Sequence, residues 1–72
     1  MDRETLLNAV RGGPVAVSMD DGQRIVIPST EFCLVDDIAA HVLYRDDAGA
    51  WKTKIASLVY MTAITPLESQ PN

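Results

Sequence analysis

The side chains in this chain that could do chemistry are few. They are three Asp-Asp pairs (Asp20-Asp21, Asp36-Asp37, Asp46-Asp47), one histidine (His41), one cysteine (Cys33), and a run of cations and aromatics from Tyr44 to Lys54. Paired carboxylates suggest calcium binding or acid–base catalysis. A calcium loop needs oxygen ligands at alternating positions and a bidentate Glu further along, and that spacing is missing. Catalytic carboxylates must converge across a cleft, whereas adjacent residues point apart. Aspartate also favours turns, because its short carboxylate bonds nearby backbone N–H groups. Two of the pairs are followed closely by Gly22 and Gly49, and glycine reaches positive φ without steric cost. The pairs therefore read as strand ends.

Imidazole titrates near neutrality, which makes His41 a conceivable general base. No Cys, Asp or Glu stands at ligand spacing on its strand, and neither a nucleophile nor an orienting group appears in a motif around it. It reads as a strand histidine with a satisfied hydrogen bond. Cys33, between Phe32 and Leu34, reads as a small buried hydrophobe with no cationic neighbour to activate its thiol. Arg45, Lys52 and Lys54 lie close to Tyr44 and Trp51, a mixture that binds single-stranded nucleic acid through stacking and phosphate attraction. Against that, Trp51 alternates with the lysines and so faces the other way, and Asp46-Asp47 neutralise the hairpin tip. A solvated strand face is the better reading.

Composition narrows the classes further. Seventy-two residues at 47% hydrophobic make one globular domain. A core this small is marginal without a disulfide, a metal or oligomerisation. One cysteine excludes an internal disulfide and leaves a structural zinc site without its usual thiolates, so oligomerisation is the support that remains open. Ten acidic residues against six basic ones give a net charge of −4, which lacks the basic footprint of nucleic-acid modules. The start Met1-Asp2-Arg3-Glu4 does not have the form of a signal peptide. No apolar run approaches the roughly 20 residues that cross a bilayer, and a lone thiol without an export signal suits the cytoplasm.

The elements that must position these residues follow from pattern. Residues 3–11 predict a helix capped by Asp2, with Leu6, Leu7 and Val10 on one stripe and Gly12-Gly13-Pro14 as its stop. Val15 to Met19 alternates as a half-buried strand, Asp21-Gly22 turns it, and Gln23 to Ile27 returns until Pro28. Residues 28–38 fit either a short strand before Asp36-Asp37 or a loop that drops Phe32 into the core. Ala39 to Arg45 predicts a strand covered on both faces. After a hairpin loop at 46–50, Trp51, Thr53 and Ile55 alternate with Lys52 and Lys54, which predicts Trp51 and Ile55 inward and the lysines in water. Ser57 to Tyr60 predicts a tight or 3₁₀ turn, Met61 to Leu67 a last strand, and 68–72 a frayed tail. A helix followed by about five antiparallel strands is too small for a sandwich and suits a strongly bent small barrel with the helix over one open end.

The stretch Pro14-Val15-Ala16-Val17-Ser18-Met19-Asp20-Asp21-Gly22 after a helix resembles the start of the Sm-like fold, including its bacterial Hfq branch. Val59-Tyr60-Met61-Thr62-Ala63-Ile64-Thr65 resembles the Hfq segment that carries Tyr-Lys-His followed by Ala-Ile-Ser. Alignment needs an insertion of about a dozen residues between Pro28 and Ile38, longer than common strand connections. The chain is also similar, over most of its length, to short uncharacterised bacterial proteins with an Sm-like or SH3-like pattern containing His-Pro-Glu-Phe. Ser29-Thr30-Glu31-Phe32 stands there, and Glu31 and Phe32 match. The Sm-like resemblance implies ring assembly and RNA binding. Met61 and Thr62 replace the uridine-contacting Lys-His pair, so only Tyr60 of that site is present.

Together these readings predict residues 1–67 as a mainly β, small α+β domain of Sm-like or SH3-like type. It carries no catalytic, metal or cofactor site and no membrane segment. The expected function is a non-catalytic interaction module that binds protein through strand edges and self-associates. An RNA-binding ring with a degenerate site is the alternative.

Overall fold

The computed structural model describes residues 1–67. Helix α1 spans Arg3–Arg11. It starts where predicted because the Asp2 carboxylate accepts the backbone N–H groups of Glu4 at 2.7 Å and Thr5 at 3.2 Å, and the Thr5 hydroxyl at 2.8 Å. These bonds, the Thr5 hydroxyl first, hold the Asp2 carboxyl below the usual carboxylate range. At the other end the Gly12 N–H bonds back to the carbonyl of Ala9 and that of Gly13 to Val10. Leu6 and Val10 face inward and are buried.

Six strands follow: β1 Val15–Met19, β2 Arg24–Ile27, β3 Cys33–Val35, β4 Ala39–Arg45, β5 Trp51–Ser57 and β6 Met61–Pro66. All pairings are antiparallel. The strands form two three-stranded sheets, ordered β2-β1-β6 and β3-β4-β5. The count of about five is thus corrected to six, because Pro28 and a 3₁₀ turn at Thr30–Phe32 separate β2 from β3. Among the described residues no ladder joins the two sheets, so they do not close into a barrel. Of the tight or 3₁₀ turn expected at Ser57 to Tyr60, the chain forms the 3₁₀ turn, at Leu58–Tyr60, which leads from β5 into β6.

Each aspartate pair contributes one carboxylate to a turn. Asp21 accepts the Gln23 N–H at 3.0 Å, and Asp46 accepts those of Ala48 at 3.0 Å and Ala50 at 2.9 Å. Asp36 accepts Ile38 at 2.8 Å and Ala39 at 2.7 Å. Gly22 and Gly49 complete the two hairpin turns at φ +89° and +83°, a region that L side chains rarely adopt.

One core serves both sheets and the helix. Leu6 and Val10 of α1, Val15, Val17, Ile25, Ile27 and Met61 of the first sheet, and Val35, Ala40, Val42 and Ala56 of the second are buried together, with Leu58 of the second 3₁₀ turn. Phe32 is not among them. The segment 28–38 takes the first of the two alternatives, a short strand before Asp36-Asp37: Ser29 caps a 3₁₀ turn through its hydroxyl (3.3 Å to Glu31 N), Phe32 ends that turn, and Cys33–Val35 then pairs with β4. The fraying expected at 68–72 lies outside the described residues.

Candidate functional site

Register decides which side chains share a face of the second sheet. Leu34 stands opposite His41, which stands opposite Ile55; Leu43 faces Thr53, and Arg45 faces Trp51. Directly opposed residues point to the same side of a sheet and alternate residues to opposite sides. Leu34, His41, Leu43, Arg45, Trp51, Thr53 and Ile55 therefore form one face. Val35, Ala40, Val42 and Ala56 form the other, and that second side is the buried one. The first is an apolar surface in solvent, with Leu34 71%, Ile55 66%, Trp51 53% and Leu43 41% exposed.

This reverses the expected orientation of β5. Trp51 and Ile55 point out, while Lys52 and Lys54 lie on the core-facing side. The lysines stay hydrated because the core ends at Val42 and the hairpin beyond it projects into water. There Lys52 Nζ pairs with Asp46 Oδ2 at 3.4 Å, and Lys54 Nζ lies 5.4 Å from the Tyr44 ring centroid. Coverage of β4 on both faces is corrected for the same reason: Ala39, Ala40 and Val42 are buried, but Leu43, Tyr44 and Arg45 are exposed. Arg45, Lys52 and Lys54 consequently do not gather into one cationic patch.

The 3₁₀ turn extends the apolar face. Phe32 stacks on Trp51 with ring centroids 5.8 Å apart and planes 19° from parallel, and the Arg45 guanidinium sits 5.1 Å from the Trp51 ring on its cation-binding face. Beside this cluster lies an open depression of about 330 Å³, lined by Phe32, Leu34, His41, Leu43 and Thr53 among others. A second depression of about 390 Å³, lined by Met1, Ile38, Leu58 and Val59 among others, is formed by residues of other parts of the chain.

His41 acquires the partner that its sequence neighbourhood does not announce. Its Nε2 is 3.1 Å from Asp36 Oδ2. The N–H groups of Ile38 and Ala39 and the His41 ring together hold the Asp36 carboxyl down to about 2, the Ile38 bond being the largest cause. The missing orienting group is thus Asp36, five residues upstream. Among the described residues no nucleophile is hydrogen-bonded to the pair, and Cys33 does not supply one: its thiol is half-buried, and burial pushes its pKa up. Among the described residues no group of three His, Cys, Asp or Glu side chains is placed to hold a metal ion. No helix there is long and apolar enough to cross a membrane.

Compared with family models, curated proteins and solved structures, the chain matches none. Its own geometry therefore carries the functional argument. Of the residues singled out by type, the structure brings together His41 with Asp36, Arg45 with Trp51, Lys52 with Asp46, and Lys54 with Tyr44. Leu34, Leu43 and Ile55 escaped sequence reasoning, since an apolar residue on an alternating strand reads as core.

Proposed function

We propose that this protein is a non-catalytic interaction module whose docking surface is the outer face of the β3-β4-β5 sheet. The observation that carries the reading is the row Leu34, Leu43, Trp51 and Ile55, standing in solvent on one continuous sheet face. Contiguous exposed apolar patches mark interaction sites in soluble proteins, whereas isolated exposed hydrophobes do not. An aromatic pair beside an arginine suits such a surface, because Trp and Arg anchor interfaces. The edges of this sheet are a weaker choice than its face: β3 is three residues long, and β5 carries Lys52 and Lys54, which discourage strand addition.

The small barrel of Sm-like or SH3-like type belongs to the same proposal, as an opened form. It is supported by the two crossings between sheets, at 28–32 and at Leu58–Tyr60, around one shared core. The RNA-binding ring is the less supported function. Met61 is buried, and the Thr62 hydroxyl donates to the Ser18 carbonyl at 3.2 Å; neither supplies the cation or imidazole of the uridine contact. A cytoplasmic location accords with the unpaired thiol of Cys33.

A photo-crosslinking amino acid at position 55, in the cells that make the protein, tests the docking face. Discrete protein adducts at 55, lost when Leu34→Glu is added and absent with the probe at the exposed Gln23, are expected. Adducts to RNA at 55, or equal adducts at both positions, overturn the reading.

A further inference from the structure

We infer that the occupant of this face is a second copy of the chain, packed face to face across a two-fold axis that crosses the strands at the level of Leu43 and Thr53. The inference rests on the docking face proposed above and names its partner. Charge and apolar surface are arranged so that the face complements its own rotated image.

Along the outer face of β4 the order is His41, Leu43, Arg45, and along the antiparallel β5 it is Ile55, Thr53, Trp51 at the same levels. Successive residues on one face are about 7 Å apart along a strand. A two-fold axis in the plane between two stacked sheets, perpendicular to the strands at the middle level, exchanges the outer levels. Leu43 then meets Leu43 of the second copy, and Trp51 meets Ile55. Arg45 arrives over the end where Asp36 holds His41 at 3.1 Å. Asp36 keeps its charge throughout the physiological range, with its carboxyl held down to about 2. Leu43, Trp51 and Ile55 thus land on apolar groups and each Arg45 near a carboxylate, twice by symmetry.

Two alternatives are less favourable on the same residues. An axis parallel to the strands and over β4 leaves each level in place and sets Arg45 against Arg45. Antiparallel pairing of β5 edge to edge about Thr53 opposes Lys52 to Lys54, and about either lysine opposes that lysine to itself, which is destabilising for directly opposed like charges. The smallness of the core adds a reason for association, because domains of this size commonly gain their missing burial from a partner subunit.

The test is the solution mass of the full chain by sedimentation across a wide concentration range, with three variants. The wild type is expected to dimerise. Ile55→Glu and Arg45→Asp, both at exposed positions, are expected to raise the dimer dissociation constant by at least about tenfold, as lost apolar contact and repulsion from Asp36 of the second copy require. Val59→Glu, exposed but off the face, should leave it unchanged. Circular dichroism confirms that each variant is folded. A Leu43→Cys, Cys33→Ser double variant with a short bismaleimide should give covalent dimers, because a central-strand residue reaches its own copy only when faces stack. A wild type that stays monomeric overturns the inference and leaves a docking face for another protein. A dimer that survives Ile55→Glu, or that fails to link through position 43, overturns it too.

Discussion

The two sheets have the same number of strands and the same antiparallel pairing, yet the chain finishes one and leaves the other open. In the first sheet the central strand β1 is buried on both sides at Val15, Ala16 and Val17. In the second, the central strand β4 is buried at Ala39, Ala40 and Val42 and then runs out into solvent, and the outer face keeps Leu34, Leu43, Trp51 and Ile55 exposed. The described residues have one α-helix and one core to distribute. The difference teaches that apolar content on a strand does not report burial: what matters is whether the chain has anything left to lay over it.

The comparison is broken most directly by alanine. Ile27→Ala, at a fully buried site in the first sheet, should cost about 2–5 kcal/mol through lost transfer energy and a residual cavity. Ile55→Ala in the isolated protomer should stay within about 0.5 kcal/mol, as exposed positions do. Urea unfolding at low protein concentration measures both. Equal losses would show that the outer face is covered within the monomer, and the distinction between the sheets would fall.

A second pair of variants sharpens it. Gly22→Ala and Gly49→Ala force a side chain into positive φ at the two hairpin turns, where open space surrounds each glycine. Left-handed backbone costs an L-residue about 1–2 kcal/mol, so both should lose a similar amount in thermal unfolding. A loss confined to Gly22→Ala would mean that the β4–β5 hairpin forms independently of the core, and that the sheets differ in more than their faces.

The smallest expected effect belongs to Asp36. Its pKa is depressed from the usual 3.8 to about 2 by bonds that exist only in the folded turn. A carboxylate with a depressed folded pKa contributes stability that is complete above its unfolded value and lost as pH falls through its folded value. Asp36→Asn should therefore melt below the wild type at neutral pH, with the gap closing between about pH 4 and pH 2. A gap that does not change with pH would show that the charge on Asp36 is not what ties this end of the second sheet together.

Legibility followed the range of the physics. Helix α1 and its Asp2 cap, the hairpins at Gly22 and Gly49, the strand β4 and the 3₁₀ turn at Leu58–Tyr60 were all readable, because each depends on residues a few positions apart. Segment 28–38 was half-readable: Pro28 marked a break, but only pairing with β4 made Cys33–Val35 a strand. The orientation of β5 was misread. Period-two alternation establishes that Trp51 and the lysines face opposite ways and says nothing about which side holds the core. The His41–Asp36 pair was missed because the turn at Ile38 and Ala39 folds five residues into contact.

Sequence alone determined the local elements of this protein, its turns and its single small core, since propensity, capping and the positive φ of glycine act over neighbouring residues. Tertiary structure alone decided that the β3-β4-β5 sheet turns its Trp51 and Ile55 side to solvent and places Arg45 and Asp36 at opposite ends of it. The reason is that a strand can bury either face, and the choice is made by where α1 and the first sheet stand.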